Sequence, residues 1–460
     1  MQTFEYASEF DHSVEDVFAW HLRPGAFERL VPPWQSVRVV ERSGEISDGG
    51  TVTLALRFGP APVRWTLRHT GFEANRLIRD EQVSGPFSRW IHEHRFQPME
   101  GGRCRLEDHV EWDPPLGGVG DTMSERAVRS QLERLFRFRH LRLRNDLARH
   151  HSLEDGRRLT VAITGSGGFI GSQLTWMLRS GGHRVIRLIR GREPAGSDEV
   201  RWNPKRAELD PADLEGVDAA VHLAGEPIAG IRWTSEKKRA IRESRERGTL
   251  LLARTLAGLS RRPAAFVSAS GVHYYGSRGS EVLTEESPAG DGFLAEVCRV
   301  WERAAVPASE GGIRTVRLRT GMVLSPAGGA LGTMLLPFRV GVGGRLGSGH
   351  QFMSWIDLDD HLGLILHALR DDRLEGGVNA TAPNPVPNAG FTSVLGRVLG
   401  RPTLIPLPTL AVKGLLGEMG RELLLVSQRA VPRRAQSAGF RFFSEGVEDS
   451  LRFQLGRMEE

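Results

Sequence analysis

"ITGSGGFIG", residues 163–171, decides the fold of most of this chain. Gly165, Gly168 and Gly171 stand between a strand-like run and a helix-like run, in a unit of about thirty residues, the context that makes this spacing a dinucleotide-binding signature. Each glycine has its own task. Gly165 permits a tight turn, and Gly168 lets the backbone approach a pyrophosphate. Gly171 lets the helix pack close to the strand, and the N–H groups of the helix N-terminus face the anion. The whole turn, with Ser166, Gly167, Phe169 and Ile170, is expected to line the dinucleotide. An Asp or Glu about twenty residues further on would bind the ribose 2′-hydroxyl of NAD. The chain there reads "RLIRGRE", so Arg190 holds that place, Arg192 is close by and Glu193 falls later, in the loop. An arginine–phosphate bond contributes about 1.5–3 kcal/mol. At about 1.4 kcal/mol per factor of ten, NADP(H) is expected over NAD(H) by roughly tenfold or more.

Outward from that turn, strand-like and helix-like segments alternate from residue 158, the pattern of an α/β doubly wound parallel sheet. "RLTVAITG", "HRVIRLIRG", "DAAVHLAG", "AAFVSASG" and "IRTVRLRTG" read as strands, with helices over 169–180, 235–257 and 293–309. This dinucleotide-binding domain is expected over 158–375. A Pro-rich and then helical C-terminal subdomain on the substrate side follows over 376–460.

Ahead of the glycine turn the pattern differs. "QTFEYASEF" alternates like a strand, and Ser13 caps the helical "SVEDVFAWHL". Short β-rich pieces follow: "VRVVERSG", "GTVTLALRFG", "VRWTLRHTGF", "SRWIHEHRFQP" and "CRLEDHVEWDPP". Residues 121–150 then change period, with Val128, Leu132, Leu135, Phe136, Leu143 and Leu147 on a helical stripe and arginines on the other, solvated faces. The polar "HSLEDGR", 151–157, reads as a linker short enough to keep the flanking domains touching or nearly so. No catalytic constellation is visible in 1–150.

Composition narrows the class. Over 460 residues the chain is 40% hydrophobic and 25% charged, ordinary for a soluble protein with two or three domains. Cys104 and Cys298 lie far apart and form no disulfide or metal pattern, which points to a reducing compartment and the cytoplasm. The N-terminus lacks a signal-peptide pattern, and no apolar run reaches membrane-spanning length. Although the sequence pI is about 9.6, the net charge is only +5, and lysine stands only at 205, 237, 238 and 413. Nucleic acid is therefore not an expected partner.

With "ITGSGGFIG", "VHLAGEPI", "FVSASGVHYYG", "RLRTGMVLSP" and "SWIDLDDHLGLILHAL" in order, residues 158–460 resemble the extended short-chain dehydrogenase/reductase superfamily. More narrowly they resemble its NAD-dependent nucleoside-diphosphate-sugar epimerase-like branch, through "LAGEPIAGIRWTSEKKRAIRESRERGT", "GDGFLAEVCRVWE" and "GMVLSPAGGALGTML". Residues 1–150 resemble, by element order, the START-like, polyketide-cyclase-like helix-grip superfamily, whose sheet encloses an apolar cavity. Trp65, Trp90, Phe96 and Trp112 would then line a cavity for an apolar ligand or simply form its core. The first resemblance implies that Leu223, Ala224 and Gly225 lie beside the adenosine-side ribose and phosphates. It also implies that Ser268 to Ser270 face the nicotinamide.

The catalytic pattern departs from the superfamily. A Tyr with Lys four residues later shares one helix face, the tyrosine moving a proton and the lysine lowering its pKa. Here the corresponding places hold Leu294 and Cys298, Arg245 replaces the assisting Asn, and Gly271 replaces the usual Ser or Thr. One reading is an NADP(H)-dependent oxidoreductase on an unknown small substrate, with its proton donor moved to Tyr275, Tyr274 or His273 and assisted by Ser270. Lys238 or Arg245 would supply positive charge, and Arg339, Arg345 and Gln351 would hold a polar or phosphorylated substrate. Packing under the cofactor is the other reading of the tyrosines, His273 is read as structural, and Cys298 is read as a buried helical cysteine. The alternative function is an NADP(H)-binding regulatory or sensor protein. A sugar-nucleotide epimerase is less expected, because it needs a base that takes a proton and returns it.

Overall fold

The computed structural model describes residues 1–58, 61–113, 121–151, 157–230 and 232–459. Residues 152–156 of the expected linker lie outside them. The chain divides into two compact units, one of Met1–Glu154 with Arg179–Gly182 and Gly456–Glu460, the other of the remaining residues. Among the described residues no helix is long and apolar enough to cross a membrane.

In the first unit, an antiparallel sheet comprises β1 (Gln2–Phe10), β2 (Arg38–Ser43), β3 (Thr51–Phe58), β4 (Ala61–Glu73), β5 (Leu77–Ser84), β6 (Arg89–Met99) and β7 (Arg103–Asp113). Their order is β1-β7-β6-β5-β4-β3-β2. Ser13 caps α1 (Val14–Leu22), its Oγ accepting from the Asp16 N–H at 3.2 Å. A short α2 (Ala26–Leu30) and the long α3 (Asp121–His151) complete the helix-grip arrangement. Leu132, Phe136, Leu143 and Leu147 of α3 are buried, as the helical stripe requires. Trp90, Phe96 and Trp112 are buried with them, and Trp65 meets Trp90 edge-on at 5.0 Å.

The arginines of α3 are not uniformly solvated as expected. Arg142 is 1% exposed, stacked 4.4 Å over Phe138 and donating to the Arg29 carbonyl at 3.2 Å. Arg29 is itself buried and forks onto Asp146 at 2.6 and 2.8 Å. Arginine tolerates such burial because its planar fork matches a carboxylate and its faces stack on rings.

The second unit is built on β8 (Thr160–Thr164), β9 (Arg184–Ile189), β10 (Glu199–Arg201), β11 (Ala219–His222), β12 (Ala265–Gly271), β13 (Arg314–Thr320) and β14 (Gly376–Ala380). All are parallel, in the order β10-β9-β8-β11-β12-β13-β14. Parallel neighbours need crossover connections. These are supplied by α4 (Phe169–Ser180), α5 (Ser235–Ala257), α6 (Phe293–Ala304) and α7 (Leu358–Arg370). Helices on both faces explain the apolar runs: Val161, Ile163, Val221, Val267 and Val316 are fully buried. The sheet extends past residue 375, since β14 pairs Val378 with Leu318 of β13. The helix expected over 293–309 breaks at Ala305, and a short one restarts over Val306–Glu310. Pro307, lacking an N–H, cannot continue the first helix.

Chain order reverses between β8 and β11, and their carboxyl ends are level: Thr164 pairs with His222, and His222 with Ser268. Ligands of doubly wound sheets bind outside the carboxyl ends at such a reversal.

Candidate functional site

The glycine turn follows β8 at that reversal. Gly165 has φ +71°, and a Cβ there would lie 2.9 Å from the Ala224 nitrogen. A Cβ on Gly171 would come within 2.1 Å of the Gly165 carbonyl oxygen. These two glycines serve the close approach of strand, helix and loop. Gly167 and Gly168 are exposed, and a Cβ on Gly167 would meet nothing within 4 Å. The turn thus leaves open space at the start of α4, whose first N–H groups have no partner within the helix. A pyrophosphate fits there.

Thr164 fixes the neighbouring loop. Its Oγ1 accepts from the N–H groups of Leu223 and Ala224 at 3.2 and 3.3 Å. The hydroxyl in turn donates to His222 Nδ1 at 2.8 Å. Burial pushes His222 down to about 3, so the imidazole is neutral. Arg245, in the place of the superfamily's Asn, closes the loop from α5. Its Nη1 donates to the carbonyls of Glu226 (3.0 Å) and Ile241 (3.1 Å), and its guanidinium lies 4.8 Å over Trp301. A Cβ on Gly225 would stand 3.3 Å from that guanidinium. Burial brings Arg245 down to about 10, so it is still a cation at neutral pH.

Arg190 and Arg192, alike in sequence, differ in structure. Arg192 donates to Glu199 Oε1 at 2.5 Å, and Glu199 also holds Arg187. Glu193 pairs with Arg201 at 2.7 Å. Arg190 directly follows β9, is exposed and has no ion pair or hydrogen bond among the described residues. Its charge helps to hold the Glu226 carboxyl low, behind the direct bond from Lys237. The chemistry of the residues present therefore fits a dinucleotide bearing a 2′-phosphate.

Of the residues expected near the chemistry, Ser270 and Tyr275 belong to a buried network. Ser270 donates to Glu302 Oε1 at 3.0 Å, and Arg319 forks onto the same carboxylate at 2.8 and 3.0 Å. Arg319 Nη1 also donates to the Tyr275 hydroxyl at 2.9 Å, which itself donates to Asn379 Oδ1 at 2.7 Å. Tyr275 is 0% exposed, and burial pushes its hydroxyl up to about 12. This is the environment of a packed tyrosine rather than of a proton donor open to substrate. Tyr274 covers the Arg319 guanidinium at 3.6 Å and faces a different cavity, with Arg299 and Arg303. Nothing in the sequence marked Glu302, Arg319 and Asn379 as the centre of this network, because α6, β13 and β14 bring them together only in the fold.

His273 faces another cavity, of about 210 Å³, lined also by Asp291, Leu294, Arg421, Glu422 and Gln428. Leu294 is the residue in the tyrosine's place. Burial lowers His273 to about 4, so it is neutral at pH 7. Gln428 is buried, and its Nε2 has no hydrogen-bond partner among the described residues. Cys298 is buried, with its thiol pushed up to about 11 by burial and the nearby Glu302. Lys238 pairs with Glu418 at 2.8 Å. Gln351 is buried, donating to the carbonyls of Leu346 and Leu424. Arg345 lines a separate small cavity with Thr392 and Thr403, and Arg339 is exposed. The structure does not gather these last three residues into one site.

Comparison with known proteins accords with this geometry. Residues 10–136 match the family model for polyketide cyclase/dehydrase and lipid transport, and 161–379 match that of the NAD-dependent epimerase/dehydratase family. Residues 407–453 match a domain of unknown function, DUF1731. An epimerase family protein of Mycobacterium bovis is 46% identical over 297 residues, 65% of this chain and 98% of its own. A crystal structure of a nucleoside-diphosphate sugar epimerase from Corynebacterium glutamicum is similar over 99% of this chain and 90% of its own, with 34% identity and TM-score 0.81. The human epimerase family protein SDR39U1, crystallised with NADPH, is similar over 64% of this chain and 98% of its own, with 36% identity and TM-score 0.59. The chain thus belongs to the NAD-dependent epimerase/dehydratase family, in its SDR39U1-like branch with a DUF1731 domain, and carries a polyketide-cyclase-type domain ahead of it.

Proposed function

We propose that the second unit is an NADP(H)-dependent oxidoreductase acting on a small polar substrate, with His273 and Gln428 in place of the usual Tyr/Lys pair. The observation that carries this reading is the cavity beside Leu294. It holds a neutral imidazole and a buried amide donor without a partner, and an unsatisfied donor of that kind costs about 1–3 kcal/mol. A substrate carbonyl or hydroxyl oxygen would satisfy it. The glycine turn would hold the pyrophosphate, Arg190 the 2′-phosphate, and Leu223–Gly225 the adenosine-side ribose. The nicotinamide, when bound, supplies hydride exchange. The chain's own work is to orient the substrate oxygen through hydrogen bonds from Gln428 Nε2 and from an N–H of the neutral His273. The NADPH of the human relative supports the choice of cofactor.

A second reading, binding without turnover, is favoured by the network that immobilises Ser270 and Tyr275. A steady-state assay with NADPH and a panel of aldehydes and ketones separates the two. Turnover that falls at least about tenfold in His273→Ala and Gln428→Leu, while NADPH still binds, supports the oxidoreductase. Tight NADPH binding with no oxidation of the cofactor across the panel supports the sensor. Sugar-nucleotide epimerisation is less favoured, because Leu294 and Cys298 stand where the Tyr/Lys pair that usually takes and returns the proton is expected. For the first unit, the aromatic cluster of Trp65, Phe87 and Trp90 supports binding of an apolar molecule. Uptake of a fluorescent fatty acid by the full chain tests it, and no uptake would refute it.

A further inference from the structure

The first unit contains a polar cluster that its element order does not foretell. Register places His69 opposite Asp80, Asp80 opposite His92, and His94 opposite Asp108, so β4 to β7 bring all five to one face of the sheet. α3 adds His140. The Asp108 carboxylate accepts from His92 Nε2 at 2.7 Å and from His140 Nε2 at 2.5 Å. His94 Nδ1 lies 2.6 Å from the same carboxylate but off the line of a hydrogen bond, leaving a buried nitrogen without a directed partner. On the other side, His69 Nδ1 holds Asp80 at 2.5 Å. Asp108, His92 and His140 are each less than a tenth exposed.

The buried Asp108 and the half-buried Asp80 among so many imidazoles are a costly way to fill a core, since apolar residues of similar volume serve stability as well or better. The cluster has the form of a site. An ionised carboxylate accepts only, so the His92 N–H points at Asp108 and the lone pair stays on the opposite ring nitrogen. A carboxylate that orients histidines in this way is the usual support behind metal-bound imidazoles. One ligand atom each from Asp80, His92 and His94 lie within 4.8 Å of one another. Two histidines and a carboxylate are a donor set for a divalent first-row transition ion, with coordination positions left for a ligand.

We propose that Asp80, His92 and His94 bind a divalent first-row transition ion in the first unit, with Asp108 positioning the imidazoles. An ion held there would offer a Lewis-acidic contact to an oxygen of whatever enters the domain. The site is independent of the dinucleotide site, and its test does not depend on turnover.

The full-length chain without an affinity tag, stripped with chelator, would be titrated with Co(II) and then Zn(II). The expected result is a single equivalent of Co(II) with the visible bands of a site of low coordination, displaced by Zn(II). Asp80→Asn with His94→Gln should abolish the bands, and Asp108→Asn should weaken binding by about 10- to 100-fold. Amide exchange over β4 to β7 reports whether each variant keeps the first unit folded. Wild-type chain that takes up no Co(II), or bands that persist in the double variant, overturn the proposal. Persistence would place the ion elsewhere, for instance at the His12–His151 pair, whose rings are 4.4 Å apart. Should the double variant not fold, single Asp80→Asn and His94→Gln replacements are read in its stead, and the wild-type titration decides on its own.

Discussion

Arg190 and Arg192 show how much one ion pair decides at the scale of a residue. Arg192 is held by Glu199, whose carboxyl is pulled down to about 2 chiefly by that same arginine, while Arg190 is unpaired among the described residues. Arg190→Ala is expected to lower NADPH affinity by about 10- to 100-fold, from about 1.5–3 kcal/mol per lost charged bond, and to leave NADH affinity alone. Arg192→Ala should change either far less, and fluorescence titration of both variants checks the contrast. Gly167→Leu should fold, since a Cβ there meets nothing within 4 Å, but should block the cradle and abolish NADPH binding. Tyr275→Phe removes the partner of Asn379 and of one Arg319 N–H. Denaturant unfolding should show a loss of about 1–3 kcal/mol, with NADPH affinity unchanged. A large loss of turnover without loss of stability would instead return Tyr275 to the chemistry.

At the scale of elements, the N-terminus of α7 carries a pH dependence. Asp357 caps the helix, accepting from the Asp359 N–H at 2.8 Å, and is fully buried with Ser450 and Gln454 on its carboxyl. Burial, with Asp359 and Asp360 close by, pushes it up to about 8. A folded-state pKa above the unfolded one means that the native form holds the proton longer. Its contribution to stability is full below the ordinary carboxylate range and is lost as pH rises through about 8. Thermal unfolding temperatures should therefore fall as pH rises from about 5 to about 8, and Asp357→Asn should flatten that slope. A slope unchanged in the variant would assign the effect to other groups. The elements themselves were largely legible. Runs such as "TVAIT" and "AFVSASG" are buried on both faces and carry their own signal, and Ser13 announces α1 as a cap. β5 was not legible, because "LIRDEQVS" is mostly polar and is a strand only through its pairing with β4 and β6. The break after Ala304 was legible in principle through Pro307.

At the scale of the molecule, the two units differ in how their sites are written. The proposed dinucleotide site is local: one turn and the residue after the next strand would supply most of it, so sequence spacing alone suffices to propose it. The network of Ser270, Glu302, Arg319, Tyr275 and Asn379, and the cluster around Asp108, are assembled across strands. Their members are scattered, and each alone reads as an ordinary core or surface residue. NADPH at about one hundred times its Kd should stabilise the unit that binds it by about 2.7 kcal/mol. Amide exchange should show that protection over β8 and the start of α4. The most direct test of the central claim is calorimetric titration of the full chain with NADPH and with NADH. NADPH should bind tighter than NADH by about tenfold or more, with the gap lost in Arg190→Ala. Equal affinities for the two cofactors in the wild-type chain, or a preference that survives the loss of Arg190, would contradict that claim.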